Sequence, residues 1–440
     1  MIRFALTFCA AMAASVAHAA VDIKQVTSPG GINAWLVEEH GIPFTALEIR
    51  IRGGASLDLL GKRGATNLMM ALIEEGAGDL DAQAFQTKRE ELAASYGFDT
   101  GDDVVAISAQ FLTENREEAV ALLRDALIEP RFDQSAVDRV REQVLSNIAG
   151  DAKSPNAIAS AAFDAAAFGD HPYGSSLDGT VDSVIALTRD DIVTAHANAL
   201  TRDRLYVGAV GDITADELGV MLDDLLGDLP ATGPALPADA EFALQGGTTV
   251  IPYDTPQSVA LFGHAGIERD DPDYFAAYIL NEALGAGGFE SRLMQEVREK
   301  RGLTYGVSTF LVSKFHADLV LGQVASANAT VAQAIDVIKA EWARMAQDGM
   351  TQEELDSVKT YLTGAYPLRF DGNADIAGIL VGMQIIDLPP EYIVNRNDML
   401  NAVTLDDVNR VARELLQPDN LHFVVVGQPE GLEANAEAGN

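Results

Sequence analysis

Part of this chain is written twice. Leu187-Thr188-Arg189-Asp190-Asp191-Ile192 returns as Val403-Thr404-Leu405-Asp406-Asp407-Val408, and Leu205-Tyr206-Val207-Gly208-Ala209-Val210-Gly211 returns as Leu421-His422-Phe423-Val424-Val425-Val426-Gly427. Both pairs share an offset of 216 residues without a gap. A fixed internal period means that one structural unit has been used more than once, so the economical reading is two copies of one α+β domain. In each copy Thr188 or Thr404 can cap a helix, with an aspartate pair in its positive first turn. The helix then runs into a turn and an apolar, β-branched strand that ends at glycine.

The joint between the copies is expected at Gly227-Asp228-Leu229-Pro230-Ala231-Thr232-Gly233-Pro234-Ala235-Leu236-Pro237, where three prolines and two glycines forbid a continuous helix or central strand. This predicts an N-terminal domain over residues 20–226, a linker over 227–244, a C-terminal domain over 245–430 and a polar tail over 431–440. Each half opens with strand patterns, at Ile32 to Glu38 and Thr45 to Arg52, then at Thr248 to Tyr253 and Ser258 to His264. Helical patterns follow at Ala65 to Glu75, Ala82 to Tyr96, Thr113 to Ile128 and Ser135 to Ile148. The second half offers Pro272 to Leu284, Ser291 to Lys300, Ala329 to Asp348 and Gln352 to Tyr366. Strands in pairs and helices in pairs predict antiparallel sheets covered on one face by helices.

Residues 1–19 read as a secretory signal: Arg3, an apolar run from Phe4 to Val16, and a small-residue site at Ala17-His18-Ala19. The run is too short to span a bilayer, and no later stretch is long and apolar enough. The expected location is the periplasm. The single cysteine, Cys9, falls inside the leader, so the mature chain has neither a disulfide nor a thiol nucleophile. No G-x-S-x-G motif occurs. Sixty-six acidic against 30 basic side chains give a net charge of −36, which repels phosphate backbones and anionic lipid. No basic run offsets it, so no nucleic-acid partner is expected, and the hydropathy already argues against a membrane span. The acidity reads as solubility, with steering of cationic peptides as the alternative.

Several segments resemble the insulinase (pitrilysin and mitochondrial processing peptidase) family. Phe168-Gly169-Asp170-His171-Pro172-Tyr173-Gly174, then Gly179-Thr180 and Leu187-Thr188-Arg189-Asp190-Asp191-Ile192, follow the family's H-P-Y-G, G-T and L-T-x-x-D-(I/L) series in order and spacing. Ser291-Arg292-Leu293-Met294-Gln295-Glu296-Val297-Arg298-Glu299-Lys300-Arg301-Gly302-Leu303-Thr304-Tyr305 is similar to S-R-L-x-x-x-(V/L)-R-E-x-x-G-L-x-Y. The resemblance implies two similar α+β domains facing each other across a cleft. It also implies a zinc helix at Gly64 to Leu72, where family members carry G-x-x-H-x-x-E-H-M. Here Asn67, Met70 and Ala71 take the places of the first His, the Glu and the second His. The third family ligand, a glutamate, falls near Ser146-Asn147-Ile148, with Asn147 the occupant. Zinc needs lone pairs from imidazole, thiolate or carboxylate at about 2.0–2.3 Å, and hydrolysis needs a base beside the bound water. An amide, a thioether and a methyl supply neither. The six histidines outside the leader, His40, His171, His196, His264, His316 and His422, never lie within five positions of each other, so none forms a helical ligand pair. His171, before Pro172, reads as a turn residue that hydrogen-bonds locally.

By the same resemblance, Arg298 and Tyr305 are the pair that holds a substrate carbonyl near a zinc ion bound elsewhere. Arg298 is expected in the last turn of a helix that Gly302 ends, and Tyr305 at the start of the strand Tyr305 to Val312. A guanidinium and a phenol together polarise a peptide carbonyl. Taken alone, Arg298 reads as one charge on a wet helix face and Tyr305 as a half-buried strand aromatic; the matched segment favours the substrate-binding role. Gly285, Gly287 and Gly288 form a glycine-rich loop between two helices, a possible substrate loop. The implied function is a non-catalytic, peptide-binding subunit that binds no metal or other cofactor itself. A homologous H-x-x-E-H partner supplies the zinc, and the substrates are short or unfolded peptides. The alternative is a protease-dead peptide-binding or scaffolding protein of the cell envelope.

Overall fold

The computed structural model describes residues 22–433, so the expected leader and the end of the expected tail lie outside the described residues. Strands β1 (Lys24–Thr27), β2 (Asn33–Glu38), β3 (Phe44–Arg52), β6 (Ser95–Thr100), β7 (Val104–Leu112) and β8 (Leu205–Gly211) form one sheet in the order β1-β2-β8-β3-β7-β6, while β4 (Gly76–Ala77) and β5 (Leu80–Asp81) make a small hairpin. The second sheet, β11-β12-β10-β13-β9, is built from β9 (Gly247–Pro252), β10 (Gln257–Ala265), β11 (Val307–Ser313), β12 (Asp318–Ala327) and β13 (His422–Gly427). Apart from β1, the two orders are the same arrangement read from opposite edges. Within each, all pairings are antiparallel except β2 with β8 and β9 with β13, because the last strand of each half returns to the middle of its sheet after a helical crossover.

Strand alternation directs side chains to two different cores. In the first sheet Leu47, Ile49 and Ile51 face the half's own helices, whereas Ala46 and Val210 face the other way. In the second, Phe262, Phe423 and Val425 face its own helices, whereas Val424 and Val426 face away. Helices exchanged between the halves cover the outward faces. Helix Pro155–Phe168 leaves the first half and lays Ala159, Phe163 and Ala167 on β10 and β13. Helix Asn373–Ile385 leaves the second half and packs Ala377 and Leu380 on β3 and β8. Gly208 makes that approach possible: a Cβ there would stand 2.6 Å from the Ala377 carbonyl oxygen. Since a sheet must bury its apolar faces, each half needs the other.

Helix Ala215–Leu226 and strand β9 bound a stretch without helix or strand. It is pinned to its surroundings: the Ala240 amide donates to the His316 carbonyl and the Ala243 amide to that of Ala167, both at 2.8 Å. Two helices end sooner than their patterns suggest: the one expected over Ala65 to Glu75 stops at Leu72, and the one over Ala82 to Tyr96 at Glu91. Ala82–Glu91 stops because Ala93 adopts φ of 49°, and Tyr96 belongs to β6. Between the halves lies a cavity of about 1150 Å³ whose walls include Arg50, Asp102, Lys314, Asp318 and Gly382. No helix among the described residues is long and apolar enough to cross a membrane.

Candidate functional site

The helix in the zinc-helix position spans Ala65–Leu72. Its first turn is fixed by Asp58, whose carboxylate accepts from the amides of Gly64 and Thr66 at 2.8 Å and from the Thr66 hydroxyl at 2.7 Å. Ala65, Leu68, Met69, Met70 and Leu72 join the first-half core, so the position of the family's Glu is turned inward. Ala71 is exposed, and Asn67 is half-buried with its Nδ2 donating to Asp178 Oδ1 at 2.7 Å. The helix packs against Gln134–Asp151, on which Asn147 is exposed and accepts from Gln143 Nε2 at 2.9 Å. A methyl, a buried thioether and two amides already engaged do not fit a zinc ion. Among the described residues no group of three or more His, Cys, Asp or Glu is placed to hold a metal.

The segment carrying Arg298 and Tyr305 is held on the second half by ion pairs. Arg292 grips Glu354 with two hydrogen bonds, at 2.7 and 2.8 Å, and also donates to the Gly349 carbonyl at 2.8 Å. Burial pushes the Glu354 carboxyl up, but the bonds from Arg292 and Thr351 outweigh it and hold it at about 2. Glu296 is paired with Lys300 at 2.5 Å and Arg301 at 2.6 Å, which also hold its carboxyl at about 2. The chain makes i→i+5 turns over Glu282–Ala286 and Met294–Glu299, a widening of the helix that recurs at functional sites. Gly302, at φ of 64°, ends the second one, with its amide donating to the Arg298 carbonyl at 2.8 Å. Leu303 then bonds back to Val297 at 3.0 Å, completing a left-handed helix end.

Arg298 lies in that last turn, as its spacing from Gly302 predicts. Its guanidinium stacks on Phe289 at 4.5 Å and stands 3.6 Å from Glu299. Tyr305 does not open the strand, which begins at Val307. The Thr304 hydroxyl, bonded to the carbonyls of Gly306 and Ala325, holds a bend that leaves Tyr305 85% exposed, with its phenol unpartnered among the described residues. Gly285, Gly287 and Gly288 are more wound than a loop: Gly285 lies in the first i→i+5 turn, closed by the Gly287 amide on the Glu282 carbonyl at 2.8 Å, and Gly288 starts a short 3-10 turn. The arrangement offers a cation and a phenol on an open face of the second half. No hydrogen bond, ion pair or ring contact among the described residues joins either to helix Ala65–Leu72.

The H-P-Y-G segment does more than turn the chain. His171 Nδ1 does accept the Tyr173 amide at 3.2 Å, which puts its proton on Nε2, facing the Ala238 carbonyl at 3.1 Å. Tyr173 itself is buried and ties the two halves together. Its hydroxyl donates to Asp103 at 2.5 Å and accepts the His316 amide at 3.2 Å, while the Phe315 amide donates to Asp103 at 3.2 Å. Beside them Asp102 takes Arg63 of the first half and Lys314 of the second, both at 3.0 Å. The tips of two matched hairpins, β6–β7 and β11–β12, thus meet around one tyrosine.

Residues 35–181 match the family described as Insulinase (Peptidase family M16), and residues 186–362 match the Peptidase M16 inactive domain. The chain belongs to this family, as an inactive member. It is 26% identical over 392 residues to the Non-peptidase homolog YmxG of Helicobacter pylori, covering 88% of this chain and 90% of that one. It is 28% identical over 418 residues to the Uncharacterized zinc protease SCO5738 of Streptomyces coelicolor, covering 91% and 88%. The crystal structure of a peptidase M16 inactive domain from Pseudomonas fluorescens superposes with a TM-score of 0.86 at 27% identity, over 95% of this chain and all of that one.

Proposed function

We propose that this chain is the non-catalytic, substrate-holding subunit of an exported zinc metallopeptidase, completed by a homologous partner that carries H-x-x-E-H. The observation that carries the reading is a division within one chain: the metal helix has lost every ligand, yet a half-buried Arg298, stacked on Phe289, and an exposed Tyr305 stand on one braced segment. Side chains that polarise a carbonyl have no use without a nucleophile to attack it, so the missing half of the site belongs to another molecule. Arg298 and Tyr305 bind the carbonyl oxygen of a short or unfolded peptide and orient the scissile bond. The expected leader supports a periplasmic location. Co-purification from the native host tests the pairing: the account expects a zinc-bearing homologue in a complex of fixed ratio.

The name of the Helicobacter pylori relative favours a second reading, a peptide-binding or scaffolding protein that takes part in no hydrolysis. Recovery of the chain only with itself, or with proteins that lack H-x-x-E-H, would support it.

A further inference from the structure

One carboxylate near the Arg298 segment has no partner. Glu282 opens the first i→i+5 turn and is only 7% exposed, yet no side chain or amide among the described residues donates to it. Neither of its oxygens is among the fully sealed unpartnered atoms, so solvent reaches the carboxyl. Its Oε1 lies under the glycine-rich turn, 3.5 Å from where a Cβ on Gly287 would stand, and two residues further on Phe289 carries the Arg298 guanidinium. Every cation of the neighbouring segment is already beside another carboxylate: Arg292 on Glu354, Lys300 and Arg301 on Glu296, Arg298 beside Glu299. Burial raises the Glu282 carboxyl, and no cation pulls it back. A buried carboxylate left without a cation is a standing penalty unless something from outside completes it.

Resting on the peptide-binding role proposed above, we infer that Glu282 is a specificity-determining residue that receives a protonated amine of the bound peptide. The amine is either the peptide's N-terminus or a lysine side chain. Glycine at 287 keeps the opening clear, since a side chain there would cover the carboxyl.

Three fluorescein-labelled peptides of glycine, serine and alanine test this by anisotropy with the purified chain. One has a free N-terminus and no lysine, one is N-acetylated with a single lysine, and one is N-acetylated with norleucine in the lysine position. The wild type is expected to bind one of the first two roughly ten- to a hundredfold more tightly than the third, and which one identifies the source of the amine. Glu282→Gln removes that preference, whereas Glu290→Gln, at the surface on the short 3-10 turn that follows, keeps it. Equal affinity for all three peptides, or a preference that survives Glu282→Gln or disappears with Glu290→Gln, overturns the inference. If affinity is equal but falls with Arg298→Ala, the substrate-holding role stands and only Glu282 is wrongly assigned. If no peptide binds the wild type, both fail.

Discussion

Asn67 donates a 2.7 Å hydrogen bond to Asp178, so the residue in the place of the first zinc-binding histidine is tied into the protein's own polar network. Three positions further on, Met70 is 1% exposed in the first-half core. The metal helix has become a structural helix. Metal analysis of the purified chain is therefore expected to find no stoichiometric zinc.

The same geometry sets the effect of substitutions at position 70. Met70→Ala should lose about 2–5 kcal/mol of stability, the usual range for emptying a closed core site. Met70→Glu should lose at least as much, because it adds an unpaired buried charge. Urea unfolding measures both. A neutral result for Met70→Glu would mean that this side chain is free to turn outward.

The exchanged helices predict that the halves unfold together. Trp35 stands on the face of the first sheet that the second half's helix covers, and the fully buried Trp342 lies in the second half's own core, so the two tryptophans report on different cores. In Trp35→Phe and Trp342→Phe single-tryptophan variants, the fluorescence transitions in urea should coincide. Phe163→Ala, on the helix covering the second sheet, should lower both transitions by about 3–5 kcal/mol. Two separated transitions would show that the exchange contributes little.

Asp164 sits on the same crossing helix, and burial raises its carboxyl to about 6, partly offset by Lys314. A carboxyl whose folded pKa is raised contributes stability below its unfolded pKa and loses it as pH rises through the folded value. The wild type thus carries a penalty at pH 7.5 that is roughly halved at pH 5 and vanishes only below the unfolded value. Asp164→Asn should be more stable than the wild type by about 1–3 kcal/mol at pH 7.5, with the gap shrinking to about half at pH 5. A gap that does not change with pH would remove the titration argument. Working at pH 5 also stays above the sequence pI of about 4.3.

Much of this was legible in the chain. The 216-residue offset announces two copies, and the strand patterns at both openings fall within a residue or two of β2, β3, β9 and β10. The loss of metal ligands needs no coordinates. What stayed hidden is long-range or depends on one dihedral. Apolar periodicity says that helix Pro155–Phe168 has a buried face, but not which sheet it covers. Ala93 carries no glycine to signal the left-handed turn that ends its helix. The meeting of Asp103, Tyr173 and Phe315 joins residues far apart in sequence, and no local pattern encodes it. At the candidate site the fifteen-residue match marks Arg298 and Tyr305. The unpartnered Glu282 emerges only when the ion pairs around it are assigned.

The most direct test is peptide hydrolysis by the purified chain, alone and mixed with a homologue bearing intact H-x-x-E-H. The account predicts no chelator-sensitive activity from the isolated chain and clear activity from the mixture. In that mixture Arg298→Ala should lower turnover by roughly a hundred- to a thousandfold, and Tyr305→Phe should lower it too, with assembly intact. Chelator-sensitive hydrolysis by the isolated protein, or full activity of the mixture with Arg298→Ala, would contradict it.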